Sequence, residues 1–326
     1  MKLFNQSILL QAVVILLAML ALWAPALAAP AAMPAAGGAT PLYDLLARWL
    51  QAVPLVAVII AMVLVLVEGV LLNLLLVDAG LTPQNSLLPT LLYIIAMSAP
   101  ATTLTPMVLV AALMIACLRR LTLKGTLLTI SVERACAATA MIGLASLFYL
   151  PAALFIISYM LAAINYRLYG WKDWAAMILG FIAPYILLVT VLMFTGGLQD
   201  WWQSVTDTIT GIKLNVNDFT PLQAVANVAL VLALLAGVVS VWNLSGERTV
   251  VWQKNATTQL TILTGAIAIL LVTSAFPVNM QLAALPFAFS VTCLLTPPAR
   301  SMGRKKRKEW VYTLILILIF IAALIC

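Results

Sequence analysis

Residues 53–76 read VPLVAVIIAMVLVLVEGVLLNLLL, an apolar run in which Glu68 is the only charged residue. An α-helix needs about 20 such residues to cross the hydrocarbon core of a bilayer. The rest of the chain has the same character, because 65% of its 326 residues are hydrophobic and only 8% are charged. This balance is foreign to soluble domains. The sequence therefore predicts an all-α fold, a polytopic bundle of transmembrane helices.

Further apolar runs predict about ten to eleven spans in a single transmembrane domain that covers residues 1–326. The run at 87–118 is too long for one span and too short for two full ones, and two prolines interrupt it. We therefore expect a short, proline-broken helix pair with a turn over Ser98–Thr105. A second such pair is expected around Pro151. The other predicted spans are 8–29, 135–148, 151–164, 175–194, 222–242, 260–275, 282–295 and 310–325.

Residues 1–29 fit either a first span or a cleaved signal peptide. Ala26-Leu27-Ala28 resembles a small-residue cleavage site. The apolar stretch is nevertheless longer than the usual signal core of about 7 to 15 residues, which favours an uncleaved helix. Both interpretations place the following segment outside the cytoplasm.

Positive charges predict the orientation of the chain. Apart from Arg48 and Lys213, every Lys and Arg lies near the N-terminus or in alternate gaps between the predicted spans. Cytoplasmic loops of membrane proteins carry such an excess of Lys and Arg. We therefore expect a cytoplasmic N-terminus, with the basic loop 299–309 on the same side.

Composition also disfavours several classes of enzyme. The chain has no histidine, the commonest general base and metal ligand, so a zinc hydrolase or a Ser-His-Asp enzyme is not expected. The four cysteines lack metal-ligand spacing and are interpreted as small hydrophobic residues. We predict no metal and no cofactor. The net charge of +7 is explained by membrane orientation, so the expected partner is the lipid bilayer and not nucleic acid.

The outer loop 195–220 contains an amphipathic pattern. Apolar residues recur every three or four positions from Leu198 to Ile212, including Trp201 and Trp202, while Asp200 and Asp207 lie on the opposite face. This predicts a helix on the outer membrane boundary. Two interpretations stay open, a lid that covers the bundle and a surface that positions a lipid-linked substrate.

A second outer segment carries the candidate catalytic residues. Asp44 and Arg48 stand four residues apart on the polar side of a short amphipathic run. They fit an ion pair on an interfacial helix. In an enzyme that acts outside, Asp44 would serve as a base, and Arg48 or Lys213 would hold a phosphate.

Glu68 and Asn73 are polar residues within the second predicted span. A carboxylate at this depth is costly and makes Glu68 a candidate for transport or proton coupling. A structural contact between helices is the alternative. Asn73 lies five residues later and is not on the helical face of Glu68.

Small residues are spaced four apart in two predicted spans, a pattern that lets membrane helices approach closely. We interpret both ridges as packing surfaces and not as substrate paths. The first consists of Ala135, Thr139 and Gly143, and the second of Ala229, Ala233 and Gly237.

Three stretches carry a family resemblance: 72–98, which includes LNLLLVD and NSLLPTLLYIIAMS, then 143–151 (GLASLFYLP) and 166–175 (YRLYGWKDWA). The chain resembles an uncharacterised family of multi-pass inner-membrane proteins from the Bacteroidota, sometimes labelled carotene monooxygenase. The resemblance extends from the second to at least the seventh predicted span and implies a bacterial inner membrane, with no activity attached. The oxygenase label finds no support, because such iron enzymes need histidine ligands.

Three classes of function agree with these patterns. The first is a non-catalytic binding or assembly component of cell-envelope biogenesis, which agrees with the lack of a recognisable catalytic motif. The second is an enzyme that transfers or polymerises polyprenyl-linked sugars on the outer face, and the third is a transporter or lipid flippase. The corresponding partners are other envelope membrane proteins or a polyprenyl-linked lipid.

Overall fold

The structure is a computed structural model, which describes residues 8–34, 38–98, 103–123, 129–210, 221–273, 278–296 and 314–323. Within these ranges the chain is all-α, as predicted, and no strand is present. The helices are α1 (Ile8–Ala28), α2 (Pro41–Leu50), α3 (Pro54–Asp78), α4 (Leu88–Ser98), α5 (Pro106–Leu121), α6 (Val132–Phe148), α7 (Phe155–Asn165), α8 (Trp171–Thr195), α9 (Leu198–Thr210), α10 (Pro221–Ser245), α11 (Val250–Thr273), α12 (Ala284–Leu295) and α13 (Leu314–Ala323). Short 3-10 turns precede α7 (Leu150–Leu154) and α12 (Val278–Ala283).

In the described part of the chain, four stretches of helix are long and apolar enough to cross a membrane: α1, α3, α8 and Asn227–Ser245 of α10. Their outward faces are themselves apolar. On α8, for example, Leu187 is 70% exposed and Phe194 is 89% exposed. Such a continuous apolar exterior is stable in lipid and not in water. The protein is therefore a helical membrane protein.

Prolines and glycines explain where several helices begin and end. Pro41, Pro54 and Pro106 occupy the first turns of α2, α3 and α5, where the missing N–H group leaves no hydrogen bond unmade. At its other end, α8 stops at Gly196, which has a left-handed backbone with a φ of 74°. Glycine adopts this conformation without the steric cost of a Cβ atom.

The predicted break in the run 87–118 is confirmed, because α4 ends at Ser98 and α5 begins at Pro106. With 11 residues, α4 is about 16 Å long, roughly half the hydrocarbon thickness of a bilayer. All of its residues are buried. It packs against α1, α3 and α12, and α12 is also short and almost wholly buried. Two half-length helices therefore form the centre of the bundle.

Several helix boundaries differ from the prediction, among them the starts of α7 and α11. The sixth span was expected from Pro151, but this proline lies in a 3-10 turn and α7 begins at Phe155. The ninth was expected from residue 260, yet α11 begins at Val250. The added turns carry polar residues such as Asn255 and Thr258, which hydropathy assigns to a loop. In the structure both side chains are buried and hydrogen-bonded to residues just beyond the ends of α5 and α7.

Candidate functional site

The start of α4 is held by a side chain from α1. Gln11 is 1% exposed, and its Oε1 atom accepts a hydrogen bond from the backbone N–H of Leu87 at 2.8 Å. Its Nε2 atom donates to the carbonyl oxygen of Asn85 at 3.0 Å. The first backbone N–H groups of a helix lack partners within that helix. Gln11 thus supplies an acceptor at this end of α4.

The other end of α4 is held by Gln281, from the 3-10 turn before α12. Its Nε2 atom donates to the carbonyl oxygen of Met97 at 3.0 Å, and its Oε1 atom accepts from the hydroxyl of Thr105 at 3.1 Å. Met97 belongs to the last turn of α4, and Thr105 is the N-cap residue of α5. One buried amide therefore joins both helices on either side of the break.

Two aromatic side chains add hydrogen bonds near this break. The indole N–H of Trp23 donates to the hydroxyl of Ser98 at 2.8 Å, and the hydroxyl of Tyr43 donates to the carbonyl oxygen of Leu104 at 3.1 Å. Burial, together with the neighbouring Asp44 carboxylate, raises the pKa of Tyr43 to about 12. The phenol is therefore protonated at neutral pH and keeps its role as a donor. We call Gln11, Trp23, Tyr43 and Gln281 the α4 anchor residues.

Glu68 lies at the contact between α3 and α4. Its Oε2 atom accepts a hydrogen bond from the hydroxyl of Tyr93 at 2.7 Å, and both side chains are buried. Gly69 permits this approach, because a Cβ atom there would lie 3.2 Å from the Thr90 side chain. The Thr90 hydroxyl donates to the Gly69 carbonyl oxygen at 3.1 Å. The Glu68 Oε1 atom has no hydrogen-bond partner in the described part of the chain.

Asn73 is also inside the bundle, although it is not on the same helical face as Glu68. It is 4% exposed, and its Oδ1 atom is buried with no hydrogen-bond partner among the residues described. Both positions are buried because α3 packs against α4 on one side and α5 on another. The structure shows no direct contact between Glu68 and Asn73, so it does not combine them into one site.

The opposite end of the bundle has its own buried amide. Asn255 of α11 accepts a hydrogen bond from the Leu123 N–H at 3.0 Å and donates to the carbonyl oxygens of Leu123 and Ala79 at 3.0 and 3.1 Å. These contacts join α11 to the chain segments that follow α3 and α5. The polar residues that extend α11 beyond the predicted span thus act as connections between helices.

Of the three candidate catalytic residues, the structure describes Asp44 and Arg48, which lie four residues apart on α2. Asp44 is half-buried, and its Oδ1 atom accepts from the Thr40 hydroxyl at 3.2 Å at the start of α2. Burial raises the pKa of Asp44, against the hydrogen bonds from Thr40 and the Gly38 backbone and the charge of Arg48, which lower it. Arg48 is exposed, and Lys213 lies outside the described residues. The proposed catalytic roles of these residues therefore stay predictions.

The predicted outer amphipathic helix is present as α9, and it adjoins the segment before α2. A Cβ atom on Gly38 would lie 2.8 Å from the Ser204 hydroxyl oxygen. Trp201 is half-buried, whereas Trp202 is 61% exposed. Asp200 and Asp207 are exposed. The helix α9 thus contacts the segment that leads into α2, and the Trp202 side chain is left on the surface.

The two small-residue ridges behave differently. Ala135, Thr139 and Gly143 are buried on α6, and a Cβ atom on Gly143 would collide with the carbonyl oxygen of Phe181 in α8. Gly180 of α8 approaches the Thr139 hydroxyl in the same way. Thr139 and Gly143 of this ridge therefore lie at the α6–α8 contact.

On α10, Gly237 of the second predicted ridge makes such a contact. A Cβ atom added there would lie 2.7 Å from the backbone of Ser290 in α12. Ala233 is half-buried and Ala229 is exposed. The buried face passes instead through Asn227, Leu230, Leu234 and Gly237. Larger apolar side chains, and not a four-residue repeat of small ones, define this face.

Sequence reasoning missed Gln11 and Gln281. Both are single polar residues in or beside apolar runs, a signal that marks them as polar groups requiring a partner. Their partners were not predictable, because Gln281 bonds to a residue 184 positions away. The same applies to Tyr93, because no sequence pattern pairs it with Glu68.

The comparisons with known proteins add no relative. No family model matches the chain, and neither a curated protein nor a solved structure matches it.

Proposed function

We propose that this protein is a binding or assembly component of cell-envelope biogenesis in a bacterial inner membrane, and not an enzyme. The observation that supports this most is the use of its buried polar groups. Gln11, Trp23, Tyr43 and Gln281 make hydrogen bonds to helix ends and to backbone groups at the break in the bundle. Polar groups used in this way stabilise one arrangement of helices and are not available to a passing substrate.

A fixed arrangement suits a protein whose task is to present a surface. Every residue of α4 is buried, and its ends are tied to α1 and to the turn before α12. Alternating access in transporters requires one group of helices to move against another. Breaking the α4 anchors within a membrane would expose backbone groups to lipid, at a cost of several kcal/mol for each group. The bundle is therefore expected to stay in one conformation.

The proposed orientation places the N-terminus and the loops after α5, α7 and α10 in the cytoplasm, on the evidence of their Lys and Arg content. The amphipathic helices α2 and α9 then lie on the outer surface. The proposed location in a bacterial inner membrane is based on this pattern and on the family resemblance of the sequence. Reporter fusions at Gly246 and at Gly197 test the orientation, since only the first should report the cytoplasm.

The test of function is purification of the intact protein in mild detergent, followed by mass spectrometry of co-purifying proteins and lipids. A multi-pass membrane protein of similar expression with the same tag is the control. A stoichiometric set of protein partners that is absent from the control would support the proposal. A retained polyprenyl-linked lipid without protein partners would contradict it and favour the sugar-transfer alternative, with Asp44 and Arg48 as the next residues to substitute.

A second candidate function is a proton-coupled carrier or lipid flippase, and Glu68 is the observation that favours it. The carboxyl group is buried in a long membrane helix with Tyr93 as its hydrogen-bond donor and the Oε1 atom unpaired in the described structure. Intramembrane carboxyl groups often mark proton relays. The Glu68→Gln variant decides between the two candidate functions. A proton-coupled carrier would lose its transport activity, whereas an assembly component would still co-purify with its partners.

A further inference from the structure

A cavity of about 460 Å³ lies between the end of α5 and the start of α6. Three arginines dominate its lining, which among the described residues includes Ala116, Arg119, Arg120, Thr122, Arg134 and Met141. We call it the arginine cavity. It lies at the opposite end of α5 from the α4–α5 break and is separate from the α4 anchor residues.

No acidic residue is among the described residues that line this cavity. Glu133 is the only Asp or Glu in the sequence between Arg119 and Arg134, and it does not line the cavity. All three arginines are exposed. Three guanidinium groups around one cavity repel one another unless an anion lies between them. Elsewhere in the described chain, Arg248 lies over the ring of Trp252 at 5.7 Å.

Helix electrostatics make the position of Arg134 informative. Arg119 and Arg120 are in the last turn of α5, where the negative end of the helix dipole favours cations. Arg134 is in the first turn of α6, where the dipole is positive and disfavours them. The N-cap residue Ser131 makes no side-chain hydrogen bond to this turn. Local helix stability thus does not explain an arginine at position 134, whereas an anion bound in the cavity would explain it.

The lining changes from charged to apolar with depth. Met141 is seven residues beyond Arg134 on α6, which corresponds to about 10 Å along the helix axis. Ala116 precedes Arg119 by one turn on α5, and both apolar residues are half-buried. A lipid whose phosphate group lies at the arginines would therefore place its apolar part against Ala116 and Met141. Basic pockets between membrane helices on the cytoplasmic side bind acidic lipid headgroups in this way.

We propose that the arginine cavity is a binding site for a phosphate group, carried by an anionic phospholipid or present as free phosphate. Arginine binds phosphate oxygens through paired, charge-assisted hydrogen bonds. The site is independent of the proposed function, since an assembly component and a carrier could both use it.

Native mass spectrometry of the purified full chain tests the site. Phosphatidylglycerol is titrated against the protein, with phosphatidylcholine as the zwitterionic comparison and inorganic phosphate as a competitor. The wild type is expected to retain phosphatidylglycerol in preference to phosphatidylcholine. Each Arg→Gln substitution should weaken this binding about fivefold, and the triple variant R119Q/R120Q/R134Q on the order of a hundredfold.

Matched variants separate a specific site from general charge attraction. R167Q/K172Q/R248Q removes three exposed cations that the same orientation places in the cytoplasm, but none of them lines the cavity. R119K/R120K/R134K keeps the positive charges. It shows whether a loss of binding in the glutamine variant is caused by a loss of folding. Ala116→Phe fills the apolar part of the cavity without changing its charge.

The outcomes distinguish the two sources of phosphate. Loss of phosphatidylglycerol in the glutamine variant, retention in the control and weakening by Ala116→Phe would support a lipid headgroup site. Efficient competition by inorganic phosphate, with no effect of Ala116→Phe, would support a free phosphate site. Equal lipid binding by the wild type and the glutamine triple variant, or equal loss in the control triple variant, would overturn the proposal.

Discussion

The side-chain amide of Gln281 donates to the carbonyl oxygen of Met97 at 3.0 Å, across 184 positions of sequence. This contact joins the turn before α12 to the last turn of α4. Because Gln281 also accepts from Thr105, the same side chain spans the break between α4 and α5. The centre of the bundle is therefore fixed by side-chain hydrogen bonds as well as by apolar packing.

Gln281→Leu should destabilise the protein by about 1–3 kcal/mol, because it leaves the Met97 carbonyl oxygen and the Thr105 hydroxyl buried without their partner. Gln259→Leu is the matched control. Gln259 is also buried, but its Oε1 atom has no hydrogen-bond partner in the described chain. The control should therefore be neutral or stabilising. Thermal unfolding in detergent measures both, and an equal effect of the two substitutions would contradict the role of Gln281.

Tyr93→Phe should lower stability by about 1–3 kcal/mol, because it removes the hydrogen bond to Glu68 and leaves the carboxyl group buried without this donor. Glu68→Gln keeps an acceptor for Tyr93, so it should leave stability unchanged or raise it. A double-mutant cycle of Tyr93→Phe with Glu68→Leu, which removes the acceptor, measures the coupling free energy of the two positions. A coupling near zero would show that the 2.7 Å contact contributes nothing to stability.

Gly143→Ala should destabilise the contact between α6 and α8 by about 1–3 kcal/mol, because the added methyl group collides with the backbone of Phe181. Gly246→Ala is the control, since an added Cβ atom there meets no atom within 4 Å. Unfolding in detergent and the yield of folded protein report the difference. If both alanine variants unfold alike, the close approach of α6 and α8 is not required.

Asp44→Asn should raise stability at neutral pH and have no effect in acid. Burial raises the pKa of Asp44 above its ordinary value of 3.8, so the ionised form is disfavoured in the folded protein. The wild type therefore gains stability relative to the Asn variant as pH falls, until the carboxyl group is protonated in both folded and unfolded states. Melting temperatures of both proteins across this pH range test the direction. An Asn variant that is less stable than the wild type at neutral pH would contradict it.

The sequence was sufficient for the class of fold because membrane burial imposes a simple rule on every span. A run such as 53–76 has to be helical in lipid, since only an internally hydrogen-bonded backbone is stable there. Pro100 and Pro106 likewise located the break between α4 and α5. The early start of α11 was not predictable, because hydropathy cannot distinguish a polar loop from polar residues that are buried and hydrogen-bonded.

The candidate site was predicted less well than the fold. Glu68 was identified from its depth alone, but its partner Tyr93 depends on how α3 packs against α4. Gln11 and Gln281 matter because they hydrogen-bond to backbone groups at the ends of α4. Both residues are distant from α4 in sequence, so these contacts could not be predicted. The spacing rule for small residues identified Gly143 but placed Ala229 at a contact, because the rule does not say which face of α10 meets α12.

Hydrogen exchange of residues 88–98, in protein reconstituted into lipid vesicles, tests the central claim most directly. If the α4 anchors hold the bundle in one arrangement, α4 should be among the slowest segments to exchange, with or without a proton gradient. Gln281→Leu should accelerate exchange at its C-terminal end, and Gln259→Leu should not. Rapid exchange of α4 in the wild type, or exchange that increases when a proton gradient is imposed, would contradict a fixed bundle and favour a carrier.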